Sequence, residues 1–183
     1  YEGKPKEAPR APWDGGFSWE EDANGKPLVF TSCQGEGASL WWPNKDHMYD
    51  EPDNGMIIHI TVPEELMAVA NGKLTATEKM DNGTTKYEWT VVNPIDNYGV
   101  ALNVADYVHF SDPYNGMKGT LACDYYVLPE HLEKAKVQFK QAHLMLEAFE
   151  HWFGPYPFYE DSYKIVDGVG MEHQSSIGYS GEY

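Results

Sequence analysis

The spacing of apolar residues in this chain changes once, after Pro129, and this change restricts the possible folds more than any other feature. Before Pro129, apolar and polar side chains alternate in short runs, as around Trp89 and Val91, which is typical of strands with one buried face. After Pro129, apolar residues recur three or four positions apart and predict one amphipathic helix of about 22 residues that ends at Gly154. We therefore expect a mainly β chain with an α+β C-terminal portion.

Short apolar runs separated by turn-forming residues define the expected strands. The pair Asn71-Gly72 is a two-residue hairpin signal, which predicts that the runs on either side of it pair with each other. Such a succession is typical of antiparallel, sandwich-like sheets. Residues 1–27, rich in Pro and Gly, are predicted to form an extended, loop-like beginning. The predicted strands cover residues 28–31, 56–62, 67–70, 73–80, 87–91, 100–104, 107–110, 119–128 and 163–166.

The change of period also marks a predicted domain boundary. We place it between residues 122 and 123, so that a β domain of residues 1–122 precedes the beginning of an α/β domain at residues 123–183. The chain begins at Tyr1 without an initiator Met and shows no signal-peptide pattern, and we expect both ends to lie inside a longer chain. The compartment of that longer chain is left open, and a secreted or periplasmic location is compatible with the sequence.

The charge of the chain argues against one large class of partners. Its 29 acidic and 13 basic residues give a formal charge of −16, which repels phosphate backbones, so nucleic acid is not an expected partner. A negative surface is compatible with cationic ligands such as a free amine. Cys33 and Cys123 are expected to be half-buried, isolated thiols. No apolar run approaches the roughly 20 residues that span a bilayer, so no membrane segment is expected.

The segment at residues 169–174 carries the most informative chemistry. The Glu172 carboxylate can accept charge-assisted hydrogen bonds from an ammonium group. Gly170 lets a peptide backbone approach closely and pair along an exposed strand edge. Together these residues predict a site for the free amino terminus of a peptide. The alternative is a loop after a strand that carries a glutamate without any such role.

Two further segments are candidates for a site. The polar segment at residues 31–37 offers Gln34 as a neutral acceptor for the same ammonium group, with a simple polar turn as the alternative. The segment at residues 153–158 combines prolines with aromatic residues and is predicted to form a rigid, packed turn of structural importance.

In order and spacing, these segments resemble the aminopeptidase N family of zinc peptidases. Members carry T-Q-C-Q or T-Q-C-E, then W-F-P followed by D-E-P, then F-G-x-Y-P-[YF], and finally G-[AG]-M-E-N. The joint match in the correct order is more specific than any single segment. The corresponding segments here are Thr31-Ser32-Cys33-Gln34, Trp42-Pro43 with Asp50-Glu51-Pro52, Phe153-Gly154-Pro155-Tyr156-Pro157-Phe158, and Val169-Gly170-Met171-Glu172-His173.

The resemblance implies a saddle-like antiparallel β domain followed by the first helix and strands of a thermolysin-like catalytic domain. It also implies that Glu172 binds the α-amine of the substrate and that Gln34 joins this amine site. Gly170 and Met171 would line the bound substrate strand. The expected partners are the amino terminus of a peptide and the remainder of the catalytic domain.

The zinc site of that family is not among the segments found. Its H-E-x-x-H motif has no counterpart in the sequence, so zinc is expected only in a longer parent chain, and this chain alone is expected to be inactive. His143, Glu147 and His151 are spaced to share one helix face, which we interpret as a solvent-exposed face and not as a metal site. Two residues depart from the family pattern: Ser32 stands where the family has Gln, and His173 stands where it has Asn. These differences bear on which N-terminal residue of a peptide the site prefers.

Two other functions stay open at this stage. One is a non-catalytic relative that keeps the fold as a scaffold, which a parent sequence without H-E-x-x-H would indicate. The other is a β-sandwich module that binds carbohydrate or protein through exposed aromatic side chains. That module requires a flat aromatic row on one sheet face and no helix at residues 130–152.

Overall fold

A computed structural model describes residues 2–183, and Tyr1, at which the predicted first domain begins, lies outside the described residues. The strands are β1 (Gly16–Glu21), β2 (Pro27–Ser32), β3 (Met56–Pro63), β4 (Met67–Ala70), β5 (Lys73–Lys79), β6 (Thr84–Val91), β7 (Leu102–Ala105), β8 (Val108–Ser111), β9 (Tyr114–Gly116), β10 (Gly119–Leu121), β11 (Cys123–Val127), β12 (Tyr163–Asp167) and β13 (Ile177–Tyr179). The helices are α1 (Leu132–Gln138) and α2 (Gln141–Phe153). The structure is mainly β, as predicted, and both helices lie between β11 and β12.

The strands form four sheets within residues 2–183. The first has the order β1-β2-β7-β4 and the second the order β3-β6-β5, and all their pairings are antiparallel. The third, β13-β12-β11-β8, is mixed, because β12 is parallel to both β11 and β13 whereas β8 is antiparallel to β11. β9 and β10 form a two-stranded sheet. A parallel pair requires a long crossover connection, and α1 and α2 provide it between β11 and β12.

Residues 2–183 form three apolar clusters, and the two larger ones join these sheets and helices. In the first, Trp89 of β6 is 1% exposed, and its Nε1 donates to the Ala68 carbonyl oxygen of β4 at 3.0 Å, which connects the second sheet to the first. Buried and half-buried residues alternate along the whole of β6, as its period of two predicts. In the second core, Phe139 and Leu146 pack with buried residues of β11 and β12. The mixed sheet is therefore covered by the helical crossover.

The prediction of one continuous helix is wrong. The chain forms two helices with a break at Phe139, where the Ala142 amide donates to a carbonyl oxygen only three residues back. Phe139 is buried, and its ring stacks on Tyr125 of β11 with 5.1 Å between the centroids. The same apolar spacing is compatible with one helix or with two consecutive helices, so the period alone did not reveal the break.

The two helices count against the β-sandwich binding module, which requires no helix at residues 130–152. Part of the exposed aromatic surface lies at the end of α2 and not on a sheet, since Phe149, Trp152 and Phe153 are 53%, 75% and 83% exposed. The predicted apolar stripe is therefore buried only as far as Leu146.

The predicted hairpin at Asn71-Gly72 is also wrong. β4 pairs with β7 and β5 pairs with β6, so these two residues form a corner that leads from one sheet into another. The Asn71 Nδ2 donates to the carbonyl oxygens of Gly99 at 2.7 Å and Gln174 at 2.5 Å. The Asn71 Oδ1 accepts from the Ala101 amide at 2.7 Å. Tertiary hydrogen bonds thus outweigh the local turn preference of the pair.

Three strands were not predicted, and one predicted strand is divided. β1 falls in the predicted loop-like beginning and pairs with β2 along its whole length. β9 and β13 have three residues each, which is too short for a period to be visible. The predicted strand at residues 119–128 is divided at Ala122 into β10 and β11, because the two parts pair in different sheets.

The segments on either side of the predicted domain boundary share one sheet. β8 precedes residue 122, β11 follows it, and the two strands are hydrogen-bonded to each other. The boundary itself stays a prediction. Cys33 and Cys123 are free thiols, as predicted, but both are fully buried, so the prediction that they are half-buried is wrong. Neither helix in residues 2–183 has the length and apolar character needed to cross a membrane.

Gly72 provides a stability test of the corner. Its φ of +75° is close to the +77° of Gly83 in the β5–β6 turn, so alanine at either position meets similar backbone strain. A Cβ at Gly72 would lie 2.1 Å from the Thr90 carbonyl oxygen, whereas a Cβ at Gly83 would meet nothing within 4 Å. We expect Gly72→Ala to lower the free energy of unfolding by about 2 kcal/mol more than Gly83→Ala, measured by urea denaturation. Equal losses of unfolding free energy in the two variants would show that the corner at Asn71-Gly72 has room for a Cβ, which contradicts the structure.

Candidate functional site

The loop at residues 168–176, between β12 and β13, carries three of the four predicted site residues, Gly170, Met171 and Glu172. It begins where the fully buried β12 ends, and an antiparallel bridge between Met171 and Gly178 closes its base, with N···O distances of 3.3 and 2.8 Å. Met171 and His173 are buried, at 3% and 4% exposure, and Glu172 between them is exposed. The two buried side chains therefore anchor the segment while the Glu172 side chain reaches solvent.

The Glu172 carboxylate is ionised and has no cationic partner in the structure. The Tyr98 hydroxyl donates to its Oε1 at 2.8 Å. A hydrogen bond from its own backbone N–H and the bond from Tyr98 lower the pKa of Glu172, and partial burial opposes them. No Lys, Arg or His among residues 2–183 forms an ion pair with it. An exposed carboxylate in this state can accept hydrogen bonds from an ammonium group.

Tyr98 was missed by the sequence analysis. It lies in the connection between β6 and β7, where the triplet Asn97-Tyr98-Gly99 gives only a turn signal. The Gly99 amide donates to Asp96 Oδ1 at 2.6 Å. On the other side of Tyr98, the buried Asn97 donates through Nδ2 to the Lys45 carbonyl oxygen at 2.7 Å. These bonds fix the backbone that presents the phenol to Glu172.

The segment that carries Gln34 reaches the same region. Burial raises the pKa of the Cys33 thiol to about 11, and the negative charge of Asp96 contributes to the rise. Burial and the bond to Glu172 raise the pKa of Tyr98, with smaller contributions from Cys33 and Asp96. Trp41 and Trp42, which follow Gln34 in the chain, pack against the apolar cluster that contains Ile95 and Val100 of the β6–β7 connection. Gln34 itself is half-buried. The role of Gln34 as a second acceptor for an ammonium group stays a prediction.

Gly170 and Met171 stay predictions as substrate-lining residues. Gly170 is exposed, and a Cβ there would meet no protein atom within 4 Å, so the space beside it is open. The side chain of Met171 is buried in the protein. Any contact of Met171 with a bound peptide would therefore come mainly from its backbone.

The charged groups around Tyr98 are acidic. Burial lowers the pKa of His173 to about 4, against the opposing charges of Glu172 and Asp96, so the imidazole is neutral at neutral pH. Its ring lies at an angle to the Tyr98 ring, with 6.2 Å between the centroids. The carboxylates of Glu172 and Asp96 both act on Tyr98 and on His173. This arrangement favours a cationic ligand.

A buried polar network connects this loop to the corner at Asn71-Gly72. The Asn71 Nδ2 donates to the Gln174 carbonyl oxygen, and the Gly72 amide donates to Ser175 Oγ at 2.9 Å. Ser175 itself has a φ of +53°, a conformation that is uncommon for a residue with a side chain. The network therefore holds the end of the loop at residues 168–176 in a defined backbone conformation.

Lys164 of β12 completes this network. Its ammonium donates to the Gly72 carbonyl oxygen and, at 3.1 Å, to Ser162 Oγ, and it lies 5.3 Å from the centre of a Trp89 ring. Burial lowers the pKa of Lys164 to about 7, and nearby carboxylates including that of Asp124 oppose the shift. Two oxygen acceptors and an aromatic face around one ammonium indicate a structural role.

The described residues do not fit a zinc ion. No group of three or more His, Cys, Asp or Glu side chains within residues 2–183 comes together to hold a metal. On α2, Glu147 and His151 are exposed, whereas His143 is half-buried and donates through Nε2 to the Asp112 carbonyl oxygen at 2.9 Å. The three side chains are thus not arranged as a common metal site.

The turn at residues 153–158 packs as a rigid element. Gly154, with a φ of +88°, follows the last residue of α2. The Tyr156 ring then packs against Phe158, Tyr159 and Tyr163, with centroid distances of 5.6, 6.4 and 5.8 Å. These contacts support the predicted structural role of the turn.

Comparison with known proteins identifies the fold. No protein-family profile and no curated protein sequence matches the chain. The solved structure of an M1 zinc metallopeptidase from Deinococcus radiodurans matches it with a TM-score of 0.76 and 20% identity, over 94% of this chain and 38% of that chain. A mutant of that peptidase bound to a Tyr-Ser-Ala substrate matches with a TM-score of 0.79 and 21% identity, over 98% of this chain and 40% of the other. A two-domain M1 zinc metallopeptidase mutant bound to L-tryptophan matches with a TM-score of 0.74 and 21% identity, over 98% and 39%.

At sequence identities of 20–21%, the similarity between this chain and these structures establishes the fold alone. The chain has the fold of part of the M1 zinc metallopeptidases, which confirms the predicted resemblance and the predicted fold class. It spans 38–40% of the length of the M1 zinc metallopeptidase structures that it matches.

Proposed function

We propose that this chain is part of a zinc-dependent aminopeptidase and supplies the pocket that binds the free amino terminus of a peptide. In this proposal Glu172 is the anionic anchor for the α-ammonium group, and Gln34 is a neutral second acceptor. Gly170 provides open space for the peptide backbone, and the Met171 backbone lies beside it. Removal of N-terminal residues would require the rest of a parent catalytic domain.

One observation carries this proposal: Glu172 is exposed and ionised although no cation of the described residues neutralises it. A carboxylate on a surface is ordinary, but this one lies between two buried residues on a loop that a polar network holds in place. Its one side-chain partner is the neutral hydroxyl of Tyr98, which donates to Oε1 and leaves the negative charge of the carboxylate without a countercharge. Such an arrangement suits a positively charged ligand with several N–H donors.

The comparisons support the class of ligand. The M1 zinc metallopeptidases with this fold include a complex with a Tyr-Ser-Ala substrate and a complex with L-tryptophan, both of which carry a free α-amine. The net charge of −16 further favours cationic ligands over anionic ones.

We place zinc and the hydrolytic step outside this chain. The described residues do not fit a metal, and the sequence has no H-E-x-x-H motif. Within the proposal, the contribution of this chain to catalysis is to bind and orient the amino terminus, which fixes how far the first peptide bond lies from the anchor.

A pair of matched peptides tests the proposal. We expect the 183-residue chain to bind a tripeptide amide with a free amino terminus at least tenfold more tightly than its N-acetylated form. Acetylation removes the positive charge and leaves the side chains unchanged. The measurement is an NMR titration that follows the backbone amides of Glu172 and Tyr98. Equal affinity for the two peptides, or shifts confined to other parts of the chain, would refute the proposal.

A further inference from the structure

We infer that Tyr98 is the positioning residue of the amine site: its hydroxyl holds Glu172 in one orientation, so that one carboxylate oxygen stays directed toward the substrate ammonium. This inference rests on the proposed function and adds to it a residue from the β6–β7 connection, outside the segments that the sequence singled out.

The hydrogen bond between the two residues gives the first argument. The Tyr98 hydroxyl donates to Glu172 Oε1 at 2.8 Å, and this is the one side-chain hydrogen bond that Glu172 makes among residues 2–183. A glutamate side chain on an exposed loop otherwise samples several rotamers, and fixing it on binding costs free energy. A partner that fixes the side chain before the ligand arrives removes part of that cost.

The rigidity of the Tyr98 backbone gives the second argument. The connection is anchored by the buried Ile95, by the bond from the Gly99 amide to Asp96, and by the bond from the Asn97 side chain to the Lys45 carbonyl oxygen. The ring also packs against the buried His173, which follows Glu172 in the chain. Tyr98 is therefore a fixed donor, and the flexible side chain of Glu172 adjusts to it.

Among the side chains around this pair, Tyr98 is the one that donates a hydrogen bond to Glu172. The titratable groups that act on Glu172 or Tyr98 are His173, Asp96 and Cys33. His173 is neutral at neutral pH, since burial lowers its pKa to about 4. Burial, the bond to Glu172 and the negative charge of Asp96 all raise the pKa of Tyr98 and favour the protonated, donating form of the phenol, whereas Cys33 is a neutral thiol at neutral pH. The hydroxyl is therefore a donor throughout the neutral range.

The variant Tyr98→Phe removes the hydroxyl and keeps the ring against His173. We expect the affinity for the free-amine tripeptide amide to fall three- to tenfold. We also expect the loss of a donor to raise the pKa of Glu172, because hydrogen bonds to the ionised carboxylate lower it. Amine binding requires ionised Glu172 and is lost as the pH falls through that pKa. The midpoint of this loss should therefore lie at a higher pH in Tyr98→Phe than in the unmodified chain.

The matched control is Tyr49→Phe, the same chemical change at a side chain that is 89% exposed. It should change neither the affinity nor the pH midpoint. A readout independent of ligand binding is the NMR titration of the Glu172 side-chain carbonyl carbon without peptide. A purely structural role of Tyr98 would lower the melting temperature and leave the Glu172 titration where it was.

The outcomes separate this inference from the proposed function. If the unmodified chain does not distinguish the free from the acetylated peptide, the proposed function fails and the role of Tyr98 fails with it. If it does distinguish them, but Tyr98→Phe leaves both the affinity and the Glu172 titration unchanged, the inference alone is refuted. A weaker affinity together with a raised Glu172 midpoint would support it.

Discussion

Replacing Glu172 with glutamine is expected to weaken binding of a peptide with a free amino terminus by about 10- to 100-fold. A hydrogen bond to a charged group contributes about 1.5–3 kcal/mol, and each 1.4 kcal/mol corresponds to about a tenfold change in affinity. Glutamine keeps the size of the side chain and an oxygen acceptor but removes the negative charge. Because Glu172 is exposed, the fold should be unaffected. Calorimetric titration with the free and the N-acetylated tripeptide amide measures the effect.

Glu182→Gln is the matched control for this substitution. Glu182 is also an exposed glutamate near the C-terminal end, and its replacement changes the net charge by the same amount. If the loss of affinity came only from the reduced charge of the whole chain, the two variants would bind equally weakly. A Glu172→Gln chain that binds the free-amine peptide as well as the Glu182→Gln chain would show that this carboxylate is not the anchor.

Replacing Asn71 with alanine is expected to lower the free energy of unfolding by about 4 kcal/mol. The substitution removes donors to the carbonyl oxygens of Gly99 and Gln174 and an acceptor for the Ala101 amide, all in the protein interior or at its edge. Buried polar groups left without a partner are more costly than the loss of a hydrogen bond in solvent. Chemical denaturation followed by circular dichroism measures the loss.

The control for Asn71 is Asn54→Ala in the exposed connection before β3. Asn54 is exposed, so this change should stay within about 0.5 kcal/mol. Asn71→Asp is a further comparison, because it keeps the acceptor for Ala101 and loses both donors. We expect its stability to stay well below that of the unmodified chain. A loss of less than 1 kcal/mol in Asn71→Ala would mean that the corner is not held by these bonds.

The sequence singled out some residues of the candidate site and not others. The Glu172 segment was found because a glutamate after glycine and methionine has a recognisable chemistry, and the resemblance supported it. Tyr98 was missed because its role depends on a contact with a residue far along the chain, and the triplet around it gives only a turn signal. The roles of all four predicted residues, Glu172, Gln34, Gly170 and Met171, stay predictions, since the structure gives their positions and burial but no ligand contact.

The sequence by itself determined the class of structure: a period of two predicted the strands, and the later period of three to four predicted the helical crossover. These patterns are local, because they depend on which side of one strand or helix is buried. Only the tertiary structure decided which strands pair, that Asn71-Gly72 is a corner between sheets, and that the helix breaks at Phe139. The physical reason is that side-chain hydrogen bonds and packing between distant residues outweigh local preferences that differ by about 1 kcal/mol or less per residue.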